Sequence, residues 1–159
     1  MAVFRILFVC LGNICRSPMA EGVMRNEAAK AGATDTFEIE SAGTGSWHIG
    51  KPPDPRAQAA ALERGADISA LRGRLVDEED FERFDLIAAM DRANYAVLKR
   101  MAPKDQVHKL RLAMSFVDGA RVDEVPDPYF GESAGFERAL DLLGDVAQGI
   151  LTAHREGRI

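Results

Sequence analysis

Cysteine is scarce: among the 159 residues there are only two, Cys10 and Cys15. A secreted disulfide framework is thereby excluded. A structural zinc site is disfavoured as well, because this pair has no second pair to complete it and Arg16 beside it would oppose a cation. Long apolar runs are missing too. The apolar start, Val3 to Leu11, contains Arg5 and no clean small-residue cleavage pattern, and it falls far short of the roughly 20 residues a membrane helix needs. Nor is there an excess of positive charge. With 20 basic and 25 acidic residues the formal net charge is -5, which argues against a general nucleic-acid binder. Internal repeats, low-complexity tracts and linkers are also lacking. These absences lead us to expect one domain spanning residues 1–159, in a reducing cytoplasmic location, with neither a membrane nor a nucleic acid as partner.

What is present fits that expectation. The 47% hydrophobic and 28% charged fractions are ordinary for a globular protein. A domain of this length buries roughly two thirds of its unfolded surface and needs no disulfide to fold. Val3 to Val9 is almost continuously apolar and β-branched or aromatic, which suits a strand buried on both faces. Ser17-Pro18 reads as a helix N-cap followed by proline at the first helical position, with Gly32 as the stop. Phe37 to Ser41 is a second strand, and Asp54-Pro55 opens a helix ending at Gly65. A short helix is expected over Asp77 to Phe84 and a third strand over Asp85 to Met90. Asp91 caps a helix stopped by Pro103, and His108 to Leu112 is the fourth strand candidate. In the last helix, starting near Ser133, Phe136, Leu140, Leu143, Ala147, Ile150 and Leu151 share one face. Strands alternating with helices imply an α/β fold: a four-stranded parallel twisted sheet with helices on both faces. In such folds ligands sit beyond the carboxyl ends of the strands. The segments after the first and fourth strands, holding Cys10 and Asp127, lie at that end.

The segment Cys10-Leu11-Gly12-Asn13-Ile14-Cys15-Arg16-Ser17 follows the first strand and runs into a helix. Such a loop points backbone N–H groups at one spot, with the positive end of the helix dipole behind them. Gly12 and Asn13 tolerate left-handed backbone angles and let the chain curl round an anion. Arg16 adds a planar fork for two phosphate oxygens. At the base of this cradle Cys10 would be favoured as a thiolate, the nucleophilic form, by the dipole, by Arg16 and by the Ser17 hydroxyl. A net negative chain needs just such a local field to capture an anion. The alternative, an inert core cysteine ending a buried strand, leaves the glycine, asparagine and arginine around it unexplained.

The Cys-x5-Arg-Ser spacing, in the form CLGNICRSPMAE, resembles the phosphate loop of the low-molecular-weight protein tyrosine phosphatases. Ser41-Ala42-Gly43-Thr44, Trp47, Met90-Asp91 and Asp127-Pro128-Tyr129 are similar to that family's later motifs and come in the same order. The resemblance implies a phosphatase acting on phosphotyrosine proteins or peptides, with no metal or organic cofactor, as a monomer or weak dimer. It further implies that Cys10 attacks phosphorus, Arg16 holds the phosphoryl oxygens, and Asp127 serves as general acid and then base. Leu11, Gly12, Asn13, Ile14, Cys15 and Ser17 would form the phosphate-binding loop, with Asn13 and Ser41 bracing it. One departure is visible: the histidine many members carry near the position of Leu71 is missing between Asp67 and Arg74.

Several residues keep two readings. Cys15 is either a small buried side chain or, as the resemblance suggests, a partner for Cys10 in a reversible disulfide. Asp127 before Pro128 could be turn chemistry alone, as at Asp54-Pro55. Asp91 is an N-cap first and a site residue second. Trp47 is either a scattered surface aromatic or one wall of a slot for a phenyl ring, with Tyr129 as the other. His48, adjacent to Trp47, reads first as a solvated histidine and second as a residue that tunes selectivity. Gly45 to Lys51 spells most of a nucleotide-binding Walker loop, but Pro52 replaces its Ser or Thr and no strand leads into it. Two neighbouring activities share the resemblance. A protein arginine phosphatase usually has Thr where Ile14 stands, and an arsenate reductase of the same fold needs resolving cysteines after Cys15, where there are none. A non-catalytic phosphate-binding module would leave Cys10 and Asp127 without a purpose.

Overall fold

The computed structural model describes residues 2–159. Four parallel strands, β1 (Phe4–Cys10), β2 (Phe37–Gly43), β3 (Leu86–Ala89) and β4 (Leu110–Leu112), form one sheet in the order β2-β1-β3-β4. As expected of a strand covered on both faces, Ile6 to Cys10 are buried without a break. Alternation along β1 splits them between two cores. Ile6, Phe8 and Cys10 join the larger core under α1 (Arg16–Lys30), α2 (Pro55–Glu63) and α5 (Ser133–Arg155). Leu7 and Val9 join the smaller one, beside Phe81 of α3 (Asp80–Arg83) and Leu98 of α4 (Arg92–Met101). All six residues of the expected stripe on α5 are buried.

The strand order decides where a ligand can sit. The chain leaves β1 towards β2 on one side, then returns to build β3 and β4 on the other. Connections therefore diverge above β1 and β3, and a crevice opens at their carboxyl ends. Cys10 ends β1 there, and Met90-Asp91 follows β3.

Two local expectations are corrected. The first helix begins at Arg16, with Cys15 in the cap position, so Ser17 is not the N-cap and Pro18 stands two residues deeper in the first turn. Proline is tolerated there because the first-turn N–H groups have no intrahelical partner. The fourth strand is only Leu110–Leu112, because Lys104–Lys109 winds into a 3-10 turn. The other caps match: Asp54 accepts from the Arg56 N–H with Pro55 opening α2, Asp91 accepts from the Asn94 N–H, and Gly32 and Gly65 have positive φ. No helix among the described residues is long and apolar enough to cross a membrane.

Candidate active site

The loop between β1 and α1 is built with its carbonyls turned outward. Cys10 O accepts from the Thr44 N–H, Leu11 O from Gly45, Ile14 O from Asp54 and Cys15 O from Met19. The loop's N–H groups are left for the interior, and the Asn13 N–H already points at Cys10 Sγ, 3.3 Å away. Asn13 makes the turn possible: it is the only non-glycine with positive φ among the described residues, at 56°.

Behind the loop runs a continuous polar brace. Asn13 Nδ2 donates to Ser17 Oγ (2.7 Å) and Ser41 Oγ (3.1 Å), while Asn13 Oδ1 accepts from the Arg74 backbone N–H (2.9 Å). Ser41 Oγ donates to the buried Glu21 (2.9 Å), which Arg25 in turn holds on to. Ser17, displaced from its expected cap position, points inward and sits 3.0 Å from Cys10 Sγ. Ser17 Oγ accepts from Asn13, and its single proton faces two acceptors, Cys10 Sγ at 3.0 Å and Ala42 O at 3.3 Å. Where the histidine near Leu71 is missing, Leu71 itself is half-buried against the larger core. The Arg74 backbone supplies the donor that holds Asn13.

Arg16 is buried with only 3% of its side chain exposed. Its Nη1 donates to Asp91 Oδ2 (2.7 Å) and to Val125 O (2.9 Å), and its Nη2 lies 3.6 Å from Asp127 Oδ2. Asp91 thus does two jobs with its two oxygens: Oδ1 caps α4 and Oδ2 fixes the guanidinium. The sequence reading put the cap first and a site role second, without naming Arg16 as the partner. The Val125 N–H donates to Met90 O, which lays the segment after β4 across the end of β3 and delivers Asp127 to the crevice.

A cavity of about 250 Å³ results. Cys10, Ile14, Cys15 and Arg16 make its floor, Asp127 stands at its side, and Trp47, His48, Tyr129 and Phe130 form the walls and rim. Trp47 and Tyr129 both line the pocket. The indole of Trp47 lies over Gly45: a Cβ there would come within 1.9 Å of it, so any other residue would displace the exposed ring. His48 is half-buried rather than solvated, 6.1 Å from the Tyr129 ring between centroids, at the place its second reading gave it. Phe130, almost fully exposed at the rim, escaped the sequence reading. Asp54, the other Asp-Pro aspartate, is not a wall of this cavity. Arg56 clamps it, and the hydrogen bonds from that side chain hold its carboxyl below the usual value of 3.8.

Both cysteines are free and buried. Burial, assisted by the nearby Asp54 carboxylate, pushes the Cys15 thiol far up, so it stays protonated at neutral pH. The arrangement can bind a tetrahedral dianion, attack it in line from Cys10, and exchange a proton with the leaving group through Asp127.

A family model described as low molecular weight phosphotyrosine protein phosphatase matches residues 5–157. A low molecular weight protein-tyrosine-phosphatase from Streptomyces coelicolor is 41% identical over 157 residues, covering 96% of this chain and 94% of its own. Among solved structures, a protein tyrosine phosphatase from Entamoeba histolytica superposes with a TM-score of 0.95 at 38% identity, over 98% and 99% of the two chains. An arginine phosphatase from Drosophila superposes with a TM-score of 0.88 at 32% identity, over 94% and 97%.

Proposed function

The chain belongs to the low molecular weight phosphotyrosine protein phosphatase family and is a protein tyrosine phosphatase; from that premise we propose that it hydrolyses phosphotyrosine by way of a phosphocysteine on Cys10. The observation that carries the proposal is the convergence of Cys10, Arg16 and Asp127 on one cavity floored by a helix N-terminus.

In the first step the Cys10 thiolate attacks phosphorus. An S–P bond forms, the P–O bond to the phenol breaks, and Asp127 gives its proton to the departing oxygen. In the second step water attacks the phosphocysteine, its proton passes to Asp127, and the S–P bond breaks to release inorganic phosphate and the thiolate. Through both steps the loop N–H groups and Arg16 bind the equatorial phosphoryl oxygens. Asp91 and Val125 O hold Nη1, which leaves the opposite edge of the guanidinium for the substrate. Neither step calls for a metal or an organic cofactor.

Selectivity is assigned to the slot above the phosphate. Trp47 and Tyr129 face a flat phenyl ring, and Ile14 presents an apolar surface at its base. An arginine phosphatase of this fold usually has Thr where Ile14 stands, so we place phosphotyrosine above phosphoarginine even though a Drosophila arginine phosphatase shares the fold. Arsenate reduction is placed last, because no cysteine follows Cys15 to resolve an intermediate. The two free thiols suit a reducing, cytoplasmic compartment, and we propose a monomer or weak dimer.

The test is a comparison of rates on phosphotyrosine, phosphoserine and phosphoarginine peptides without added metal, with arsenate reduction run in parallel. We expect turnover of phosphotyrosine to dominate, and none with Cys10→Ser, which should still bind phosphate. Dominant phosphoarginine turnover would overturn the substrate assignment, and turnover by Cys10→Ser would overturn the mechanism.

A further inference from the structure

We infer that Arg56 is a positioning residue for the general acid, acting through the backbone of the loop that carries Asp127; the inference rests on the proposed role of Asp127. The Arg56 guanidinium reaches from the first turn of α2 to the far side of that loop. Its Nη2 donates to Tyr129 O (2.9 Å) and its Nη1 to Gly131 O (3.3 Å). The fork is itself fixed. Nε and Nη2 bind the two oxygens of Asp54 (3.0 and 2.8 Å), and the guanidinium carbon stands 4.8 Å from the centroid of the Phe136 ring in α5. Asp54 is anchored in turn, because it caps α2 and its backbone N–H bonds Ile14 O in the phosphate loop.

One side chain therefore ties the acid-bearing loop to the loop that holds the phosphate. Beyond Asp127, at Tyr129 and Gly131, it is the hydrogen-bonded tie among the described residues. The other hydrogen bonds of residues 127–131 are internal: Tyr129 N–H to Asp127 Oδ1 (3.1 Å) and Gly131 N–H to Pro128 O (3.0 Å). The remaining polar ties lie on the N-terminal side: Arg16 Nη1 donates to Val125 O (2.9 Å), the Val125 N–H donates to Met90 O (2.9 Å), and Asp127 approaches Arg16 at 3.6 Å. Asp127 must stand within about 3 Å of the leaving oxygen to transfer its proton, and small displacements of reacting groups are costly in rate. A rigid five-donor fork suits this task, and a lysine cannot bridge both carbonyls and the carboxylate at once.

Positioning of the acid has a signature that general structural support lacks: it matters in proportion to how badly the leaving group needs a proton. In Arg56→Met, which keeps an apolar stem over Phe136, kcat/KM should fall about tenfold for phosphotyrosine, a fraction of the 10²–10⁴ that general acid catalysis supplies. For 4-nitrophenyl phosphate, whose leaving group needs little help, the fall should stay within about twofold, and inhibition by inorganic phosphate should not change. In an Asp127→Asn background Arg56→Met should cost nothing further, and Arg56→Lys should recover part of the loss. Equal losses on both substrates, or an additive loss in the Asp127→Asn background, would overturn the inference. The two readings fail separately. If Asp127→Asn shows no leaving-group dependence, the acid assignment falls and this role of Arg56 falls with it. If Asp127→Asn shows the dependence and Arg56→Met does not, only the role of Arg56 falls. Should Arg56→Met fold poorly, Arg56→Lys alone carries the test, with the same pattern expected at smaller amplitude and equal losses on both substrates refuting it.

Discussion

Replacing Asn13 separates what its side chain does from what its backbone angle does. The side chain makes three hydrogen bonds in a buried setting, to Ser17, Ser41 and the Arg74 N–H. At about 0.5–1.5 kcal/mol each, their loss in Asn13→Gly should lower unfolding stability by roughly 2–4 kcal/mol. Glycine accepts the φ of 56° without strain; alanine does not, so Asn13→Ala should lie about 1–2 kcal/mol below Asn13→Gly. Urea unfolding of the three proteins reads both quantities, and rates on 4-nitrophenyl phosphate read the consequence for the loop. Because the Asn13 bonds stiffen the loop that carries Cys10, the proposed phosphate cradle, kcat/KM should fall at least about tenfold in both variants. If Asn13→Gly kept its activity and its stability to within about 0.5 kcal/mol, the brace behind the loop would be ornamental. If the two variants were equally stable, the left-handed turn would not be what Asn13 is for.

Three further outcomes follow from the geometry. Asp91→Asn keeps an oxygen to cap α4 but loses the charge facing Arg16, so inhibition by inorganic phosphate should weaken about tenfold with little change in thermal stability; unchanged phosphate inhibition would show that Arg16 needs no anchor. Alkylation by iodoacetamide at neutral pH, mapped by peptide mass spectrometry, should label Cys10 and spare Cys15, whose thiol burial holds in the protonated form; preferential labelling of Cys15 would contradict that. The carboxyl of Asp54 sits below its usual value of 3.8 in the folded chain, so its contribution to stability is complete above about pH 4 and is lost as pH falls through the lowered value. Asp54→Asn should accordingly flatten the stability curve below about pH 4, and identical acid unfolding of the two proteins would count against the clamp with Arg56.

The strands and most helix caps were legible because their signals are local. A buried β-branched run, an Asp-Pro cap and a glycine stop each act within a turn or two of chain. The phosphate loop was legible for the same reason, since Cys10, Asn13 and Arg16 lie on seven consecutive residues. What escaped the sequence depends on distant partners. Asp91 meets Arg16 across 75 positions and Arg56 meets Tyr129 across 73, contacts set by the reversal of strand order rather than by any short motif. Ser17 was misplaced because a Ser-Pro pair has a stronger local reading, as a cap, than the inward role that Cys10 and Asn13 impose on it. Glu21 carried a usable signal: it follows Ser17 by four residues in a helix, and Arg25 follows it by four, so the three share one face. The pocket rim was legible only in part: Trp47 and Tyr129 drew notice as aromatics in loops and His48 as the neighbour of Trp47, while Phe130 offered no pattern.

The central claim is that phosphate passes through sulfur. Asp127→Asn should leave attack on 4-nitrophenyl phosphate fast and slow the hydrolysis that follows, so the intermediate should accumulate. Rapid acid quenching of that reaction, followed by peptide mass spectrometry, should find a phosphoryl group on Cys10 and on no other residue. Continued turnover with Cys10 unmodified, or with the phosphoryl group on Cys15, would contradict the account.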